Sequence, residues 1–107
     1  MNKTIPLPVE RAVAKLGADI SAARRRRHMS QASLAERIGC SVSTLKRMEQ
    51  GDSRVLIQHF ARALHVFGEI KALEQLLDAS RDDIGLLLMD EQLPKRIRKK
   101  QSVSGAL

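Results

Sequence analysis

Two short helical patterns stand almost back to back between residues 30 and 50, and they constrain the fold more than any other feature of the sequence. Ser30 is suited to cap a helix, since its hydroxyl can accept from the open amides of the following turn; Leu34, Ala35 and Ile38 then mark a buried face. Gly39 can adopt the positive φ that stops such a helix, and Ser41 can cap the next one at once. The second pattern, over residues 42–50, turns Leu45 and Met48 inward and is polar on its other faces. Helices joined by so few residues must turn sharply against each other.

The flanks extend the same helical logic. Pro6 and Pro8 make residues 1–7 an extended arm, and Pro8 can open a helix because the first turn needs no amide donor. Val9, Val13, Leu16, Ile20 and Ala23 then recur at helical spacing until about Arg27, with Gly17 a weak point that need not break the helix. After the stop at Gly51, Asp52 and Ser53 read as the start of a fourth helix. Its inward residues are Leu56, Phe60, Ala63, Leu64 and Phe67, and Gly68 closes it. A fifth runs from Glu69 to about Ser80 and carries Ile70, Leu73, Leu76 and Leu77. With no Trp, no Tyr and only 2 Phe, the interior must be built from aliphatic residues and methionine, which suits packed helices better than a sheet. The expectation is an all-α fold: a compact bundle of about five helices over residues 8–80, an arm at 1–7, and an extended C-terminal tail at 81–107.

Nineteen Lys plus Arg against 12 Asp plus Glu give a net charge of +7, which attracts polyanions and makes nucleic acid the first candidate partner. A generally solvated basic surface is the alternative. Cys40 is the only cysteine, so no internal disulfide can form. His28, His59 and His65 stand apart, so no metal site and no cofactor is expected. The N-terminus lacks the apolar stretch of a secretory signal, and the apolar run at 84–89 is too short to cross a bilayer. A soluble, cytoplasmic, nucleoid-associated protein is therefore expected. Catalysis has no support, since no nucleophile, base and acid can be assembled and no Gly-rich phosphate loop follows a strand.

The stretch RRRRHMSQASLAERIGCSVSTLKRMEQG, from Arg24 to Gly51, resembles the Xre/Cro-like, lambda-repressor-like helix-turn-helix family. The resemblance spans Ile20 to Phe67. It includes Ser30-Gln31 at the start of the second helix, Leu34-Ala35 within it, Ile38-Gly39 at the turn, and Glu49-Gln50-Gly51 at the end of the third. The residue types fit the role, because a helix enters the major groove only if its leading turn offers short tips. Val42 can touch a thymine methyl, Ser43 and Thr44 can reach base edges, and Arg47 can address guanine with both arms of its fork. Alternatively, Val42 extends the buried stripe of Leu45.

The resemblance further implies that Gln31 binds the phosphate backbone at a helix N-terminus, with Ser41, Lys46, Gln50, Ser53 and Arg54 as further backbone contacts. It implies a structural ion pair between Arg24 and Glu49. Arg25, Arg26 and Arg27 face either solvent or DNA, and Cys40 is a small residue that fits the turn. The chain departs from the pattern at Asp52, which has the wrong charge for the loop, and at Ile57, where some phage repressors offer an arginine.

Residues 83–98 resemble the tail of HipB-type antitoxins, which pair with HipA-type kinase toxins. Leu86, Leu87, Leu88 and Met89 are costly to leave bare, so Ile84 and these four are expected to contact a second subunit or a partner. A strand or extended segment is the favoured form, a further packed helix the alternative. The basic stretch from Lys95 to Lys100 lies along DNA or stays disordered. These readings imply a homodimeric repressor that places its third helices in major grooves about 34 Å apart on an inverted-repeat operator. It would serve as the antitoxin of a toxin–antitoxin module. The competing readings are a stand-alone phage or host repressor and a module for RNA or protein.

Overall fold

A computed structural model describes residues 4–91. Among them are six α-helices and no strand: α1 (Leu7–Arg26), α2 (Gln31–Ile38), α3 (Val42–Glu49), α4 (Ile57–Val66), α5 (Ile70–Glu74) and α6 (Asp83–Glu91), with one turn of 3-10 helix at Ala79–Arg81. The fold is all-α. Residues 1–3 of the expected arm and the basic stretch from Lys95 to Lys100 lie outside the described residues. The chain divides into two units between Leu73 and Glu74.

The first unit holds the core. Leu34, Ala35, Ile38, Leu45 and Met48 are buried with Ile20 of α1 and Phe60, Ala63 and Phe67 of the α4 region. α3 packs on α1 and α2, and α2 packs on α4. Pro8 sits in the first turn of α1 with Glu10, and Arg24, Arg25 and Arg26 occupy its last turn, so charge complements the helix dipole at both ends. Gly17 is buried where α1 crosses α3; a Cβ there would run into the main-chain oxygens of Met48 and Glu49. The residue that weakens α1 by propensity is the one that lets the two backbones approach. Only part of the expected stripe of α1 is covered, since Val9 and Leu16 are exposed while Ile20 is buried.

Three sequence expectations need correction. The fourth helix does not start at Asp52 and Ser53. Asp52 accepts from the Arg54 amide two residues on, at 2.9 Å, which makes a turn rather than a cap, and Val55 drops into the core before α4 opens at Ile57. Leu56, expected inside, is the uncapped entry to α4 and is 60% exposed. The fifth helix is shorter than expected. It ends at Glu74, and Leu76 and Leu77 point into solvent, having no buried surface to hold a further helical turn.

The third correction concerns residues 84–89, which are helical rather than extended. Asp82 supplies the start: its Oδ1 accepts from the Gly85 amide at 2.9 Å and its carbonyl from the Leu86 amide at 2.8 Å. Apart from Ile84 and Gly85 the run is also leucine and methionine, a composition that favours helix.

Candidate nucleic-acid interface

Local chemistry sets the angle between α2 and α3. Ser30 is extended at φ −77° and its Oγ accepts from the Ser33 amide at 3.0 Å. At the other end Gly39 takes the left-handed conformation, φ 77°, and its amide donates to the Ala35 carbonyl at 2.9 Å. Arg62 of α4 adds a cap from outside the pair, donating through Nη1 to the Ile38 carbonyl at 3.0 Å. Cys40 packs half-buried against the core in the turn, and burial pushes its thiol above the ordinary value despite the charge of Arg62. Ser41 then opens α3, its Oγ accepting from the Thr44 amide at 3.0 Å.

Leu45 and Met48 bury one side of α3, and Val42, Ser43, Lys46 and Arg47 remain exposed. Val42 is 37% exposed, so it stands outside the stripe of Leu45. Thr44 is half-buried and joins the front of the helix together: its Oγ1 accepts from Ser41 Oγ at 3.0 Å and from Arg47 Nη2 at 3.2 Å. The leading turn thus presents an apolar tip, a hydroxyl and a guanidinium on one outward face.

The loop after α3 carries Gln50, Ser53 and Arg54, all exposed. Arg54 grips Asp52 with its fork, Nε to Oδ1 at 3.1 Å and Nη2 to Oδ2 at 3.0 Å, and Arg47 Nη1 lies 3.9 Å from the same Oδ2. Hydrogen bonds from the Arg54 side chain and amide, aided by the charges of both arginines, hold the Asp52 carboxyl down to about 2. Ile57, the other departure from the family pattern, is exposed at the start of α4.

Gln31 opens α2 half-buried, and its Nε2 donates to Glu49 Oε1 at 3.0 Å. The same carboxylate receives Arg24, Nε to Oε2 at 2.7 Å and Nη2 to Oε1 at 3.1 Å, while Arg24 Nη1 donates to the Met29 carbonyl at 2.8 Å. Burial would raise the pKa of Glu49, but the hydrogen bonds from Arg24 and Gln31 and the charge of Arg24 outweigh it and hold the carboxyl below its ordinary value. One buried carboxylate therefore ties the end of α1, the start of α2 and the end of α3.

The four consecutive arginines are not equivalent. Arg24 is in the ion pair, Arg25 and Arg26 are exposed, and Arg27 lies over the Phe67 ring, 4.7 Å from its centroid, while donating to the Phe67 carbonyl at 3.3 Å. The Arg27 contact joins residues 40 apart in the chain, and no local pattern announces it.

A family model described as a helix-turn-helix domain matches residues 15–87. The chain belongs to the helix-turn-helix domain family. The match runs from within α1 into α6 and covers the whole of α2 and α3. It places the chain in the Xre/Cro-like superfamily, whose domains bind DNA in transcription regulation. No curated protein and no solved structure matches the chain. Among the described residues no helix is long and apolar enough to cross a membrane.

Proposed function

We propose that this helix-turn-helix protein is a sequence-specific transcriptional repressor that binds an inverted-repeat operator as a homodimer, reading bases with Val42, Ser43, Thr44 and Arg47. The observation that carries this reading is the outward front of α3, where Val42, Ser43 and the Arg47 guanidinium are exposed beside a half-buried Thr44 and outside a core sealed by Leu45 and Met48. Gln31, Ser41, Lys46, Gln50 and Ser53 hold the backbone around it. Gln31 and Ser41 do so beside helix N-termini, where the exposed amides favour a phosphate. Two such units related by a two-fold axis set the half-sites about 34 Å apart. Footprinting upstream of the protein's own gene tests this. A protected inverted repeat, lost with Arg47→Ala, is expected; protection without sequence preference overturns it.

The same protein acts, in this proposal, as the antitoxin of a HipBA-like module, with α6 as the docking element for a HipA-type kinase toxin. Two features support this: the resemblance of residues 83–98 to antitoxin tails, and the exposure of Ile84, Leu86, Leu87, Leu88 and Met89 on a helix too apolar to be left bare. Co-expression with the product of the neighbouring gene tests it. A stable complex that a chain ending at residue 82 cannot form is expected. A protein that purifies alone and represses fully is a stand-alone regulator.

A further inference from the structure

Asp52 brings a negative charge to a surface otherwise supplied with Lys46, Arg47 and Arg54, and the structure gives that charge a specific engagement. Its side chain is only 15% exposed although Arg54, its partner, is 83% exposed. Both carboxylate oxygens are taken by the Arg54 fork, at 3.1 and 3.0 Å, and Oδ1 also accepts from the Arg54 amide at 2.9 Å. Arg47 is placed differently. Its nearer partner is Thr44 Oγ1 at 3.2 Å, and it meets Asp52 only at 3.9 Å.

The two arginines at this surface are therefore unequally available. A carboxylate and a phosphate compete for the same guanidinium fork, and a two-point pair is the geometry in which an exposed ion pair persists. Sequence-independent binding to duplex DNA comes from phosphate contacts, each of which contributes one increment to its salt dependence. A basic residue already paired in the free protein adds nothing to that sum unless the pair is broken.

We propose that Asp52 is a positioning residue that withholds Arg54 from the DNA backbone and so caps the sequence-independent part of the affinity, leaving Arg47 free to read bases. The inference rests on the reading of α3 as the DNA-facing helix, and it removes Arg54 from the phosphate contacts among which its family position would place it. With its pKa held down to about 2, Asp52 stays charged throughout the neutral range, so the restraint is constant there rather than a pH switch. For a regulator that must leave wrong sites quickly, weaker general adhesion shortens each unproductive encounter.

The test measures binding of the full chain to a random-sequence duplex as a function of salt. Asp52→Asn keeps an oxygen for the Arg54 amide but discards the charge. It is expected to steepen the slope by about 0.9 and to tighten binding on the order of fivefold at 0.15 M salt. Arg54→Ala in the Asp52→Asn background removes both charges of the pair and should return slope and affinity to the wild-type values, whereas Arg54→Ala alone bares the Asp52 carboxylate and should weaken binding. An unchanged slope for Asp52→Asn, or a double variant that keeps the steeper slope of Asp52→Asn without Arg54, overturns the inference while sparing the reading of α3. A wild-type chain with no salt-dependent affinity for any duplex overturns both.

Discussion

Arg24 and Glu49 form a two-point ion pair between the end of α1 and the end of α3, with side chains only 11% and 6% exposed. Removing one member leaves the other charged and buried, which costs about 3–5 kcal/mol, whereas replacing both by apolar residues of similar volume is close to neutral. Arg24→Met should therefore destabilise strongly in urea unfolding. The Arg24→Met, Glu49→Leu double variant should recover most of the loss. Equal stability of the single and double variants would show that the pair acts only through packing.

The pair also sets a response to acid. The pKa of Glu49 is held below its ordinary value of 4.5, so its contribution to stability is complete above that unfolded-state value and is lost as pH falls through the lower folded-state pKa. Stability measured against pH should drop more steeply below about 4.5 in the wild-type chain than in Glu49→Gln, which has no proton to gain there. Parallel curves would show that Glu49 titrates alike in the folded and unfolded chain.

What could be read in advance follows the range of the interactions. Ser30, Gly39 and Ser41 act on amides and carbonyls within a few residues, and Leu34, Ile38, Leu45 and Met48 follow helical spacing, so α2, α3 and their turn are legible from the sequence. Arg27 on Phe67 and Arg62 on Ile38 span 40 and 24 residues, and nothing local encodes them. Asp52 resembles a cap because its type suits one; only the structure shows that its carboxylate holds Arg54. Length and apolarity do not separate strand from helix at residues 84–89. The signal that does is Asp82, three residues ahead of Gly85, together with the scarcity of β-branched residues. The front of α3 is legible as a type of surface, and the resemblance implies the pair of Arg24 with Glu49, while the bond from Gln31 to the same carboxylate has no sign in the sequence.

Gly17→Ala opposes two effects of known sign. Alanine is worth about 1 kcal/mol more than glycine inside a helix, but overpacking costs typically about 1–3 kcal/mol, and the atoms in the way here are main-chain oxygens of Met48 and Glu49, which cannot swing aside. The variant should be less stable than the wild type by thermal melting. A gain would mean that α1 can shift off α3 at no cost.

His28 closes α1 in the left-handed region, φ 56°, with its amide donating to the Arg25 carbonyl at 3.0 Å. Glycine occupies that conformation without strain, which for other residues amounts to about 1–2 kcal/mol, partly offset by the greater freedom of glycine in the unfolded chain. His28→Gly should raise the melting temperature slightly and leave DNA binding unchanged. A fall in stability would assign the imidazole a contact that outweighs the relief.

The division between base reading and backbone holding is tested by two substitutions whose signatures differ in kind. Arg47 is exposed at the front of α3 with Thr44 steadying one side of its fork, so Arg47→Ala should cost about 1–3 kcal/mol on the operator and relax preference at one base pair. Gln31 sits at the start of α2, its orientation fixed by the bond to Glu49 Oε1. Gln31→Ala should weaken operator and random duplex by the same factor, because a phosphate contact carries no sequence information. Competition binding on a panel of single-base operator variants separates the two. Uniform weakening by Arg47→Ala would move that side chain to the backbone, and a changed base preference in Gln31→Ala would move the reading edge from α3 towards α2.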